Sequence, residues 1–381
     1  MIRTRLAWFA GLACAIFAVG AMAASSDDAI EPERRLNQVQ LIGTHNSYKQ
    51  LPDHLMLAAM ARFDSANPQA QGRMAQLLYA HAPLDQQLNQ GIRLFELDLH
   101  RVTSDTAGLT SRYRRAFGRD AIRRAPPLPR LADDSSIRVL HALDHDFRSH
   151  CPALSQCLAQ FASWSNSNPG HAPIIIILEA KGVGRQVTRL TAQGLREDRR
   201  GTEFSGTDWQ RVEADIKTVL GPGRIFTPAQ LRGSYKTMRE ALAARGWPRF
   251  GDLRGKFIFI ASGSHAAKQA VSSLRDPVLF VFHELDHPEA AFVAELDPFS
   301  PQIEVMIEAG LIVAAYADHG LVEAGMGQTE RRDRLVKAGV QLIMTDFPFE
   351  SPAFPNYQVV FPEGGYVRRS GGSAGRTDPA E

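Results

Sequence analysis

Leu41-Ile42-Gly43-Thr44-His45-Asn46-Ser47-Tyr48 is the stretch from which the fold is read. Apolar residues lead into it from Val39 in the manner of a buried strand, and Gly43 breaks the run, which sets His45 and Asn46 at a strand's C-terminal mouth. In parallel α/β proteins that mouth carries the chemistry. A histidine able to move protons, next to an amide able to offer a carbonyl oxygen, suits a metal-assisted phosphoryl site. Alone it is a weak sign, because a single strand-end histidine is more often structural.

Working outward, the arrangement recurs. In Ile92-Arg93-Leu94-Phe95-Glu96-Leu97-Asp98-Leu99 the two carboxylates are two apart, so on a strand they share one side while Leu97 and Leu99 take the other. Burying such a pair unpartnered costs on the order of several kcal/mol, so a cation or basic groups must sit between them. Salt bridges to Arg93 and Arg101 are the alternative. A third strand, Ile137 to Leu140, ends at His141, with Asp144, His145, Asp146 and His150 close behind. The fourth, Pro173 to Leu178, is a near-continuous isoleucine run of the kind buried on both faces of a parallel sheet, and it leads into Glu179-Ala180-Lys181.

Four more β-rich runs, Lys256 to Ala261, Val278 to Phe282, Leu311 to Tyr316 and Gln341 to Met344, end on Ser262, His283-Glu284, Asp318-His319 and Thr345-Asp346. Helical patterning fills the intervals, including a long excursion from Asp53 to Tyr79. Eight strands alternating with helices, polar at their C-terminal ends, predict an α/β protein of the TIM-type (β/α)8 barrel class. The arginine-rich stretch from Arg101 to Ser136 is read either as a solvated face or as a patch leaning on an anionic membrane.

The 381 residues, 44% hydrophobic, have the composition of a soluble globular protein. A net charge of +2 offers no field for nucleic acid, and no basic helix interleaved with aromatics is present. Arg3 and Arg5 precede an apolar run from Leu6 to about Val19 and then Ala21-Met22-Ala23, the parts of a cleavable secretory signal over residues 1–23. An uncleaved anchor is the alternative. The expected protein is secreted or periplasmic, with a mature N-terminal arm at 24–36, a catalytic barrel at 37–362 and a disordered tail at 363–381. Once the signal and its Cys14 are removed, Cys151 and Cys157 remain, either as a local disulfide or as two buried thiols.

If sequential strands are neighbours, the first four mouths gather His45, Asn46, Glu96, Asp98, His141 and Glu179. Asn46, Glu96, Asp98 and Glu179 form a hard-oxygen set that suits Ca2+ or Mg2+ rather than Zn2+. The two histidines can then divide the acid and base roles.

Gly43-Thr44-His45-Asn46-Ser47-Tyr48, Gly91 to Asp98, His141, Leu178-Glu179-Ala180-Lys181 and Thr345-Asp346-Phe347-Pro348 together resemble the calcium-dependent phosphatidylinositol-specific phospholipase C family of secreted microbial type. The likeness spans nearly the whole mature chain. It implies a phospholipase C-like phosphodiesterase barrel with Ca2+ as cofactor, catalytic His45 and His141, and Asn46, Glu96, Asp98 and Glu179 as calcium ligands. It also implies a phosphoinositide or related diester as substrate, met in transient contact with a membrane surface. The inositol 2-hydroxyl would attack phosphorus, giving a cyclic phosphate and diacylglycerol.

Lys181 could hold a phosphate oxygen or pair with Glu179 or Glu96, and Asp318 and Asp346 are assigned with it to substrate binding. His145 competes with His141 for the acid role. The chain departs from the family pattern in its seventh strand, which lacks an arginine, and in its closing region, which lacks an Arg-Cys-Asn segment. Two rivals remain. A glycerophosphodiester phosphodiesterase would usually show His-Arg-Gly and Pro-Glu-Asn-Thr runs, which are absent. A non-catalytic inositol-lipid-binding barrel would be expected to have lost a histidine or carboxylate, and all are present.

Overall fold

Along each main strand, alternate apolar side chains serve two different cores, and this alternation closes the sheet. The computed structural model describes residues 30–52, 54, 57–58, 77–101, 137–142, 146–181, 203–318, 322–351 and 353–370. The signal segment, most of the Asp53 to Tyr79 excursion, the arginine-rich stretch after Arg101, Asp144, His145 and His319 lie outside them. Leu41, Leu94, Ile175, Ile177, Ile258 and Ile312 belong to one buried cluster, which fills the barrel. Ile42, Phe95, Ile174, Ile176, Phe259 and Val313 belong to the other, with residues of the surrounding helices.

The strands are β1 (Val39–Thr44), β2 (Leu94–His100), β3 (Arg138–Val139), β4 (Ile174–Ala180), β5 (Phe257–Gly263), β6 (Leu279–Val281), β7 (Phe292–Ala294), β8 (Ile312–Tyr316), β9 (Leu342–Thr345) and β10 (Val367–Arg369). Eight of them run parallel in the order β6-β5-β4-β2-β1-β9-β8-β7. A parallel bridge, Phe282↔Phe292, joins the two ends. Helices α1 (Leu84–Asn89), α2 (Leu154–Ser167) and α3 (Gly206–Leu220) pack outside, with α2 burying Leu158 and Phe161 and α3 burying Trp209 and Ile216 in the outer core. A disulfide of 2.05 Å joins Cys151, just before α2, to Cys157 within it.

The barrel class is as expected, but its strand list differs in one member. The third expected strand is β3, which pairs antiparallel with the C-terminal end of β2 (Leu99↔Val139, His100↔Arg138) and stands outside the barrel. β2 pairs directly with β4, and the eighth barrel strand is β7, between β8 and β6, a three-residue strand too short to register as a β-rich run. Gly43 also differs from its expected role. It lies inside β1, opposite Met344, and a Cβ there would meet the Leu94 carbonyl oxygen at 2.2 Å. Its missing side chain lets β1 and β2 close up rather than turning the chain. The tail boundary at Glu363 is corrected as well, because β10 pairs antiparallel with β1 over Val39↔Arg369 to Leu41↔Val367, burying Val367 against the inner core. The polar arm is likewise docked: Ile30 and Leu36 are buried, and Arg35 donates to the Arg245 and Trp247 carbonyls.

Candidate active site

Backbone bonds at the mouth of β1 fix the first two site residues. The His45 N–H donates to Thr345 O (2.9 Å), the Asn46 N–H to Glu96 Oε2 (3.1 Å) and the Ser47 N–H to Glu96 O (3.0 Å), lacing β1 to both neighbours. Asn46 adopts φ 50°, a left-handed conformation that asparagine tolerates better than most residues. Its amide is held on both sides: Tyr48 OH donates to Oδ1 (2.8 Å), and Nδ2 donates to Tyr79 OH (2.6 Å).

Register along β2 and β4 does the rest. Asp98 lies beside Glu179, and Glu96, Asp98 and Glu179 each offer an oxygen within 4.8 Å of the others. Oxygens on opposite sides of a bound Ca2+ lie roughly 5 Å apart, so the spacing fits such an ion. Glu96 and Asp98 are buried, and neither Asp98 oxygen accepts a hydrogen bond among the described residues. Burial pushes both carboxyls above the usual range, Asp98 strongly. Burial acts on Glu179 in the same sense, but Lys181 outweighs it and Glu179 is lowered. A clustered, purely oxygen donor set of this kind, in which both Asp98 oxygens accept no hydrogen bond among the described residues, is what a hard cation would satisfy.

Lys181 stands against this trio, its Nζ 2.8 Å from Glu179 Oε2 and 3.3 Å from Asp98 Oδ1. Lys181 thus pairs with Glu179, one of its two expected carboxylate partners, and with Asp98 rather than Glu96. Arg93 donates instead to the Leu88 and Ile92 carbonyls and stacks on Trp164, while Arg101 pairs with Asp208.

Each candidate histidine is oriented by a carboxylate. His45 Nδ1 lies 2.7 Å from Asp346 Oδ1, which leaves Nε2 on the mouth side, 3.4 Å from Glu96 Oε2. Burial works against the charge on His45, but Glu96 and Asp346 prevail and raise it to about 10. His141 Nδ1 lies 2.8 Å from Asp146 Oδ2, and burial holds this imidazole below its ordinary value against the pull of Asp146. His141 reaches the mouth from β3, off the barrel, rather than from a barrel strand end.

Asp346 and Asp318, expected at the substrate, each contact a neighbouring protein group. Asp346 serves His45. Asp318 is buried, accepts from the Asp346 N–H (3.0 Å), Tyr357 OH (3.3 Å) and the Thr345 hydroxyl, and so braces the end of β9. The sequence reading missed the residues that hold His141. Asp146, five positions on, was visible only as one member of a polar run. Lys49 is fully buried, donates to the Leu77 and Tyr79 carbonyls and approaches Asp146 Oδ2 at 3.4 Å. Tyr316, at the end of β8, packs edge-on to His45 at 5.2 Å and donates weakly to Glu96 Oε1 at 3.5 Å.

On the far side, His283-Glu284-Leu285-Asp286-His287 has the His-Glu-x-x-His spacing that on a helix puts two imidazoles on one face. Here it lies in the non-helical crossover after β6. The two rings stack face to face at 3.9 Å and 3°, so their in-plane lone pairs run side by side instead of converging.

A parallel (β/α)8 barrel whose mouth unites a hard-oxygen cluster with two carboxylate-oriented histidines defines a phosphodiesterase of the metal-assisted class. The family model for Ca2+-dependent phosphoinositide phospholipase C matches residues 34–370, and the chain belongs to that family. Two solved structures share the fold. The calcium-dependent phosphoinositol-specific phospholipase C of a Gram-negative Pseudomonas sp. is 15% identical, with a TM-score of 0.52, covering 91% of this chain and 100% of that one. The Ca2+-dependent phosphatidylinositol-specific phospholipase C of Streptomyces antibioticus is 17% identical, with a TM-score of 0.51, covering 89% and 99%. No curated protein matches the chain.

Proposed function

We propose that the mature chain is a secreted phosphodiesterase that cleaves phosphatidylinositol or a close relative to a cyclic inositol phosphate and diacylglycerol. The observation that carries this reading is Asp98, whose two buried oxygens accept no hydrogen bond among the described residues, have only the Lys181 ammonium beside them (3.3 Å to Oδ1), and face Glu96 and Glu179 across the mouth. With Asn46 these carboxylates would hold Ca2+, which when bound supplies Lewis-acid stabilisation of charge on the phosphoryl oxygens. His45, anchored through Nδ1, presents Nε2 to the same oxygens. His141, also anchored through Nδ1, protonates the departing glycerol oxygen from Nε2, while the proton of the attacking inositol 2-hydroxyl passes to a carboxylate of the Glu96, Asp98 and Glu179 cluster. The arriving phosphodiester anion adds to Asp146 in favouring the imidazolium that this step needs.

Membrane contact is supported by exposed apolar side chains beside the mouth: Leu296 and Phe299 follow β7, and Val322 and Met326 follow β8. Arg331 ties these loops together through the Leu296 and Tyr316 carbonyls. Secretion rests on the N-terminal signal pattern. Among the described residues, no helix is long and apolar enough to cross a membrane.

The test is product release from phosphatidylinositol vesicles, with glycerophosphoinositol and glycerophosphocholine in parallel, each with calcium and with a chelator. Cyclic inositol phosphate from the lipid, abolished by the chelator, is the expected result. Cleavage of the deacylated diesters alone would favour a glycerophosphodiesterase, and no turnover of any substrate would favour a binding protein.

A further inference from the structure

Lys181 is placed more firmly than a side chain at a site rim needs to be. Its N–H donates to Leu99 O at 2.9 Å, and it lies two positions after Glu179, so both side chains leave the strand on the same side. Its ammonium contacts oxygens of two of the three clustered carboxylates, at 2.8 and 3.3 Å, and is only 20% exposed. It is a cation already seated where the family's cation is expected.

A divalent ion entering among these oxygens meets that charge in one of two ways. It can push the ammonium away, breaking two short ion pairs, or it can bind with the ammonium a few ångströms off. The first forfeits attraction and the second adds repulsion, so both subtract from affinity. With the ion absent, the same ammonium relieves the mutual repulsion of Glu96, Asp98 and Glu179. We propose that Lys181 is a built-in counter-cation that keeps the metal-free acidic cluster together and sets its calcium affinity low, making the site readily exchangeable. The inference rests on reading Glu96, Asp98 and Glu179 as calcium ligands. In this role Lys181 is a positioning residue, acting through the carboxylates.

The test is calorimetric titration of CaCl2 into chelator-stripped mature protein, as wild type, Lys181→Met, Lys181→Gln, Lys181→Arg and Asp98→Asn, together with melting temperatures in chelator and in calcium. Removing the charge should tighten calcium binding by about tenfold or more, while Lys181→Arg, which keeps the charge, should stay near wild type. Lys181→Met should also melt lower in chelator and recover in calcium. If Lys181→Met does not fold, Lys181→Gln gives the same comparison with a polar tip. Calcium affinity unchanged or weakened in the neutral variants, while Asp98→Asn abolishes binding, would overturn the inference and leave the ligand reading intact. If the wild type bound no calcium, or Asp98→Asn bound it normally, the ligand reading would fall and the inference with it.

Discussion

The arc of the barrel made by β2, β4 and β5, which β1 joins at Thr44↔Phe95, and the seam between β6 and β7 use the same parallel strands, held together very differently. β2 and β4 keep register from Leu94↔Ile175 to Leu99↔Ala180, and β4 and β5 from Ile174↔Phe257 to Ala180↔Gly263. At the seam one bridge, Phe282↔Phe292, and the His283 N–H to Phe292 O bond (3.1 Å) join two three-residue strands. No helix lies between Val281 and Phe292. Long register lets the arc hold three carboxylates in mutual reach against their repulsion, because each is fixed by ladder bonds that shift only together. The seam carries two histidines that no such ladder aims at a common point. Charge is concentrated where the backbone is most over-determined.

The largest effect that would sharpen this contrast is on turnover. His45→Ala and Asp98→Asn should each lower kcat on phosphatidylinositol by about 10²- to 10⁴-fold, while His283→Asn stays within about twofold of wild type. Comparable losses in both regions would erase the distinction. Next comes the support of the acid: His141→Ala should fall by a similar factor, and Asp146→Asn by a smaller one, on the order of tenfold, because it acts through the ring. Near-normal turnover in His141→Ala would transfer the acid role to His145.

A smaller effect tests the packing of the arc. Gly43→Ala drives a methyl into the Leu94 carbonyl at 2.2 Å, and a loss of about 1–3 kcal/mol in denaturant unfolding is expected. At Gly310, where nothing lies within 4 Å, the same change meets only the strain of φ 76° and should cost about 1 kcal/mol. Equal costs would show that β1 and β2 are less tightly joined than their spacing indicates.

The smallest effect concerns pH. Burial, aided by Lys181, pushes the His100 imidazole down to about 3 from 6.5. The unfolded chain therefore takes up a proton that the folded chain refuses. The contribution of His100 is complete above about pH 6.5 and is lost as pH falls toward about 3. His100→Gln should flatten the fall in melting temperature over that window, and an unaltered slope would show that other groups govern it.

Much of the arc was legible in the sequence because its signals are local. The isoleucine run, the Glu96-x-Asp98 spacing and the strand-end His45-Asn46 each follow from period-two geometry, and their convergence needs only neighbouring strands. The seam was not legible, since Phe292–Ala294 is too short to show periodicity and its partner strand is reached without a helix. The place of His141 was misread for a related reason: an antiparallel extension of β2 looks like any other strand until its pairing is known. Asp318 and Asp346 stood at the expected strand ends, yet strand position does not say whether a carboxylate faces substrate or a neighbouring imidazole. Lys49 could not be found at all, because a buried lysine is recognised only by the carbonyls and carboxylate that surround it.

The most direct measurement is a crystal structure of the protein soaked in calcium, with anomalous scattering used to locate the ion. The account predicts a single strong site bonded by Glu96, Asp98, Glu179 and Asn46, with Lys181 moved away from at least one of its carboxylate partners. Calcium absent from the arc under saturating conditions, or bound at His283 and His287 instead, would contradict it.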